Sequence, residues 1–191
     1  MPLVNKLHWR YATKKFNNEK KVSEEEITEL LKGTNLAPSS YGLQPYKVIV
    51  VHNDELQKRL REVSYNQAQI TDASHVFIFA AKTDLSVKDI DEYMNRIAEV
   101  RKVSLDDLKE FKQTITRAVN DMSASERVVW AQKQAYIGLG VLLSLCTDMK
   151  IDACPMEGFQ AEKYDEILEL EKDGYTASVI AAVGYRGNDE Y

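Results

Sequence analysis

Three short stretches of this chain gather side chains able to bind or polarise a ligand. Arg10-Tyr11-Ala12-Thr13-Lys14 sets two cations and a hydroxyl within five residues. Arginine grips a phosphate as a two-pronged fork and lysine as a point charge, so the cluster suits an anion. Taken alone, a solvated charged face accounts for it more simply. Pro38-Ser39-Ser40-Tyr41-Gly42-Leu43-Gln44-Pro45-Tyr46 pins the backbone out of a helix and offers hydroxyl and amide hydrogen bonds just before an apolar run. A helix-to-strand turn would look the same. The third stretch, Pro155-Met156-Glu157-Gly158-Phe159, puts a carboxylate beside a glycine at the mouth of an amphipathic segment. It reads either as a solvated turn or as backbone placed to touch a ligand, since glycine lets backbone approach without a Cβ in the way.

Other chemistries lack their signatures. There is no GxxxxGK[ST], no GxGxxG and no GxSxG; Gly138 and Gly140 lie within a predicted helix, where close packing explains them better than phosphate binding. His8, His52 and His75 are far apart in the sequence and lack ligand spacing, so no metal is expected, and His75 reads as a structural residue opening a strand. Cys146, inside an apolar helix, reads as a small buried hydrophobe.

The elements that must position these groups follow from periodicity. Ser23-Glu24-Glu25-Glu26 forms a capping box, and the helix it opens carries Ile27, Leu30 and Leu31 on one face, ending near Gly33 to Asn35. YKVIVV reads as a buried strand, Asp54 to Val63 as a helix, and HVFIFAAKT as a second buried strand. Residues 86–122 predict two charged amphipathic helices parted near Val103-Ser104, with Ser104 as a candidate N-cap. From Ser125 to Met149 polar residues thin out until apolar or small side chains occupy every face, which predicts a helix buried all round, within the subunit or against a second one. YTASVIAAVGY, introduced by Gly174, is a further strand. Strands interspersed with more numerous long helices indicate a mixed α/β or α+β domain.

The totals set bounds. A chain of 191 residues, 44% apolar and 29% charged, suits one soluble globular domain with a real core. Its net charge of −5 and lack of any basic block leave nucleic-acid binding without an electrostatic footprint. The longest apolar run, Ala135 to Cys146, is too short for a bilayer, and MPLVNKLHWRYATKKF lacks the apolar region of a secretory signal. Two cysteines, Cys146 and Cys154, make no disulfide framework, so a reducing, cytoplasmic setting is expected.

In their order, the motifs RYATK, PSSYGLQPY, Asp72-Ala73-Ser74-His75-Val76, PMEGF and the final GYTASVIAAVGYR resemble the FMN-dependent nitroreductase family, in its oxygen-insensitive NAD(P)H nitroreductase or dihydropteridine reductase-like branch. The resemblance runs from about residue 7 to residue 186. It implies an α+β three-layer sandwich, with a mixed, mainly antiparallel sheet flanked by helices, as one FMN-binding domain over 1–191 with a helical lid at 86–126. It also implies an intertwined homodimer with FMN at the interface, no nucleic-acid or membrane partner, NADH or NADPH as donor, and a small-molecule acceptor.

Carried over residue by residue, Arg10 would neutralise the FMN phosphate within the Arg10, Tyr11, Ala12 segment. Lys14 and Asn66 would reach the flavin's pyrimidine edge, where a cation favours reduction. Ser39 and Ser40 would contact the FMN held mainly by the partner subunit, with Pro38 shaping that cofactor-binding loop, which also includes Gly42. The backbone at Glu157 and Gly158 would face the N5 and O4 edge, with Pro155 and Met156 packed on the ring. Lys14 and Glu157 are thus the candidate catalytic positions, Glu157 mostly through its N–H. The implied activity is ping-pong, two-electron reduction of nitroaromatics, quinones or similar acceptors. Alternatives are a specialist for a dihydropteridine, enone or free flavin, and a flavin-binding sensor or store without turnover.

The chain departs from the pattern in four places. Ala12 replaces a serine that would bind phosphate, and Gln69 replaces a second lysine near the pyrimidine, weakening the hold on reduced flavin. Ile115 and Thr116 stand where relatives place phenylalanines over the substrate. A K-x-R phosphate clamp that follows the last strand in the family has no counterpart before Tyr191: either that tail lies outside this sequence, or the phosphate would rest more heavily on Arg10.

Overall fold

The computed structural model describes residues 2–188. In chain order the elements are α1 (Leu3–Leu7), α2 (Glu24–Asn35), β1 (Tyr46–Val51), α3 (Asp54–Glu62), α4 (Gln69–Asp72), β2 (His75–Lys82), α5 (Val87–Arg101), α6 (Lys109–Asn120), α7 (Ala124–Asp148), β3 (Asp152–Met156), α8 (Ala161–Leu168) and β4 (Tyr175–Gly184). Local chemistry sets several of these starts. Ser23 and Glu26 cap α2 reciprocally, and Ser123 and Glu126 do the same for α7, each pair satisfying backbone donors that the first turn leaves unpaired. Ser104 accepts from the Asp107 N–H at 3.2 Å as predicted, but it caps only a turn, and α6 begins later, at Lys109.

The strands form one sheet in the order β1-β2-β4-β3, every neighbour antiparallel. The mixed character comes from an isolated parallel bridge between Ala12 and Ala153, which lays the 10–14 segment along the outer edge of β3. Helices cover both faces. Val76, Ile78 and Ala80 point to a core shared with Leu60, Ile70 and Tyr164, while Phe77 and Phe79 point to a core with Ile27, Leu30, Leu139 and Leu142. This two-sided burial makes β2 an unbroken apolar run. On β4 the register slips opposite Phe79 and Ala80, leaving Ser178 as the extra residue. Ala177 and Val179 consequently serve opposite cores, although residues two apart ordinarily share a face. A third, smaller core ties α5 to α6 through Ile90, Met94, Ile97, Ile115 and Val119.

Two expectations are corrected, and a third is narrowed. β1 is an edge strand, and only Val51 of its six residues is fully buried. β3 had no counterpart among the predicted strands; its Pro155 is tolerated because an edge strand can lack a ladder donor. Of the two settings left open for α7, enclosure within its own subunit is excluded: Val129, Tyr136 and Ile137 are 48%, 40% and 42% exposed, and a Cβ added at Gly140 would meet nothing within 4 Å.

Candidate active site

β3 is the axis on which the predicted residues meet. With Ala12 paired to Ala153, Lys14 is carried to the Cys154 thiol, Nζ to Sγ 3.8 Å. Arg10 lies close enough that its charge acts on both Cys154 and Cys146. Burial pushes the Cys154 thiol up, and the nearby Lys14 and Arg10 charges pull it partly back. Cys146 is pushed up to about 12, chiefly by burial, so it is the inert core thiol expected. Among the described residues neither Arg10 nor Lys14 has a carboxylate partner, although Arg186 beside them is ion-paired with Asp152. Two uncompensated cations therefore face the same strand.

Asp152 went unnoticed in the sequence, yet it organises this end of the site. It is 4% exposed, accepts from Arg186 Nε at 2.7 Å and from the Arg186 N–H at 2.8 Å, and lies 3.4 Å from the Thr13 hydroxyl. A buried carboxylate needs this degree of partnering. The Arg186 guanidinium then stacks over Trp9 and Tyr11, with centroid distances of 4.1 and 4.6 Å, fixing the segment that carries Arg10.

Past Met156 the chain turns outward. Gln67 donates to the Gly158 carbonyl at 2.7 Å and to the Ser64 carbonyl at 3.1 Å, and the Gln160 N–H donates to the Val63 carbonyl at 2.9 Å. These bonds lock the 157–160 turn to the loop that bears Asn66. Asn66 is exposed and left-handed (φ 58°), next to Tyr65 (φ 53°) and one turn before Gln69, which is 8% exposed on α4. Asparagine tolerates that conformation better than most residues; Tyr65 pays for it. The Glu157 carboxylate accepts from the Tyr136 hydroxyl of α7 at 2.7 Å. Burial first, and then this bond and the carboxylate's charge, push the Tyr136 phenol up to about 12. Among the described residues no acceptor lies within hydrogen-bond reach of the Glu157 or Gly158 N–H.

The second predicted loop stands apart. The Ser40 N–H donates to Gln134 Oε1 of α7 at 2.8 Å, and Ser39 Oγ accepts from the Gln44 N–H at 2.8 Å. Tyr93 Oη donates to the Tyr41 carbonyl at 2.8 Å, and a Cβ on Gly42 (φ +75°) would lie 2.4 Å from that hydroxyl. None of Pro38, Ser39, Ser40 or Gly42 hydrogen-bonds to Arg10, Lys14 or the 155–158 turn within this chain. Gln134 and Tyr136, two residues apart on α7, point to different sides of the helix and so link the two clusters through its body. The histidines also differ from expectation: His52 and His75, remote in sequence, stand with ring centroids 5.5 Å apart.

The model of the Nitroreductase family matches residues 7–185. "Putative NAD(P)H nitroreductase YfkO" of Bacillus subtilis (strain 168) is 35% identical over 198 residues, covering 98% of this chain and 90% of that protein. The crystal structure of a nitroreductase family protein from Streptococcus pneumoniae TIGR4 superposes with TM-score 0.81 at 25% identity, covering 100% and 93% of the two chains. A structure from Exiguobacterium sibiricum 255-15, solved in complex with FMN, superposes with TM-score 0.85 at 21% identity, covering 100% and 91%. The match thus spans the Arg10–Lys14 segment, both loops and all four strands, and the chain belongs to the nitroreductase family.

Proposed function

We propose that this protein is an FMN-dependent NAD(P)H oxidoreductase that reduces small acceptors such as nitroaromatics or quinones by two electrons in a ping-pong cycle. The observation that carries the reading is the convergence at β3: two cations without carboxylate partners on one side, and two N–H groups without acceptors at the turn beyond it. That donor set fits a flavin mononucleotide, which has an anionic tail and a ring edge rich in acceptors. The FMN named for the Exiguobacterium relative and the donor named for the Bacillus relative support the same assignment.

When bound, FMN supplies hydride transfer between a nicotinamide and the acceptor. The chain's own work is placement and charge. Arg10 would offset the phosphate, and Lys14 and Asn66 would address the pyrimidine edge, where a cation from Lys14 would favour reduction. The Glu157 and Gly158 amides would hold the ring's polar edge, and Pro155 and Met156 would line its face. Tyr136 keeps the Glu157 side chain turned aside, so that backbone rather than carboxylate is presented. With no glycine-rich dinucleotide loop, donor and acceptor take turns on one open face.

The site is completed in a homodimer. The half-exposed apolar residues of α7, together with Leu3, Val4 and Leu7 of α1 at 49%, 64% and 40% exposure, provide the surface, and the Ser39-Ser40 loop serves the partner's flavin. Residues 1–191 act as one domain, with 86–126 as the lid over the acceptor. The free thiols suit the cytoplasm.

A visible spectrum of the purified protein with FMN, recorded before and after anaerobic NADPH and then NADH, tests the proposal. A bound-flavin spectrum that bleaches is expected. Flavin that binds but stays oxidised with both donors would instead support a sensor or store, and absence of binding would refute the site.

A further inference from the structure

Across the sheet from the candidate flavin site, three potential ligands meet that no part of the proposed reaction uses. His52 follows β1 and His75 opens β2. Because Val51 pairs with Val76, antiparallel register sets His52 directly opposite His75. Glu24, in the first turn of α2, supplies a carboxylate, and one ligand atom from each of the three lies within 4.8 Å of the others. We propose that Glu24, His52 and His75 form a binding site for a divalent transition-metal cation, zinc by ligand type.

Two imidazoles and one carboxylate are a recurrent zinc donor set, leaving a fourth position for water. Three atoms no farther apart than 4.8 Å lie within about 2.8 Å of a common centre, against zinc bond lengths of about 2.0–2.2 Å, so each ligand needs to close in by less than about 1 Å. The exposed Glu24 and His52 have the freedom to do so. His75, only 4% exposed, is the fixed member. Its Nδ1 is engaged by Ser74 Oγ at 2.9 Å, and that hydroxyl is itself held by the Val22 N–H at 2.8 Å. The contact orients the ring; with Nδ1–H donating to Ser74 Oγ, Nε2 carries the lone pair that would face the cation. The site is remote from Lys14. His75, Val183, Ala153 and Ala12 form one row across the sheet, putting His52 about four strand spacings, roughly 19 Å, from Ala12. A bound cation would staple the entry of α2 to the β1–β2 edge.

The test is a zinc titration of the full-length, chelator-stripped protein by calorimetry and by competition with a chromophoric chelator, run alongside His52→Gln and Glu24→Gln. Both side chains are solvent-exposed, so these variants should keep the parent's thermal transition without zinc. One saturable zinc per chain is expected, together with a concentration-dependent rise in melting temperature. Each substitution should weaken binding by at least about tenfold. Cobalt(II) should give a low-coordinate visible spectrum that is lost in His52→Gln. No saturable binding, or binding of unchanged affinity in His52→Gln, overturns the proposal. Flavin binding does not enter the measurement.

Discussion

Lys14 and Cys154 stand 140 residues apart in the chain and touch in the fold. The contact separates two roles that a lysine here could play. If Lys14 only held the cofactor, its loss would weaken flavin retention and reduction alike. If it stabilises the charge that develops on reduction, Lys14→Ala should slow flavin reduction by NAD(P)H by about tenfold or more while FMN affinity falls less. Stopped-flow bleaching at 450 nm, set against FMN titration, distinguishes the two, and equal reduction rates would remove Lys14 from the mechanism.

A second residue-scale prediction concerns protons. Tyr136 and Tyr164 are both pushed up to about 12, each chiefly by burial. A phenol whose folded-state pKa exceeds its unfolded value near 10 contributes stability that is fully present below pH 10 and is lost as pH rises toward 12. Absorbance titration at 295 nm should therefore show phenols still protonated at pH 11 in folded protein, and one fewer in Tyr136→Phe. Complete ionisation by pH 11 with the fold intact would contradict the burial of Tyr164 and the Tyr136–Glu157 hydrogen bond.

At the scale of elements, the Asp152–Arg186 pair joins β3 to the segment after β4 and, through Thr13 and the stacked Trp9 and Tyr11, to the strand of chain bearing Arg10. Asp152→Ala should cost about 3 kcal/mol, because it leaves a partly buried guanidinium and the Arg186 N–H without their acceptor. Denaturant unfolding measures the loss, and FMN affinity should fall with it as the 10–14 segment loosens. The elements themselves were legible to different degrees. The Ser23–Glu26 box announced α2, and the apolar run from His75 announced β2, because capping chemistry and two-sided burial are written in adjacent residues. β3 was not legible: five residues opening on Asp152 and containing Pro155 have poor strand propensity, and only pairing with β4 makes them a strand. The site was legible as separate motifs through their resemblance to a family. Gln67 reaching Gly158, Asp152 gathering Arg186 and Thr13, and His52 facing His75 are all products of register and tertiary closure, which local spacing does not encode.

For the whole molecule, the governing feature is α7. Its 25 residues span about 37 Å, with one side packed on the sheet and the other lined by Val129, Tyr136, Ile137 and Gly140. In a free monomer that surface would stand in water. Sedimentation of the protein should therefore give a dimer, and Ile137→Glu should shift it toward monomer with loss of FMN, since the Ser39-Ser40 loop makes no direct hydrogen bond to the β3 cluster within one chain. A monomeric parent that retains FMN would sink the shared-interface reading.

The other edge of the sheet bears on how the protein behaves when heated or concentrated. β1 pairs only with β2 among the described residues, so its outer backbone groups could recruit extended segments of other chains. Lys47, the second residue of that strand, is tethered to Asp173 at 2.8 Å and lies over the Tyr175 ring at 4.4 Å. A charge on an edge strand disfavours fibrillar pairing with other chains. Lys47→Val, which raises strand propensity and removes the charge, should shorten the lag of thioflavin-positive aggregation at elevated temperature even if the folded state is no less stable.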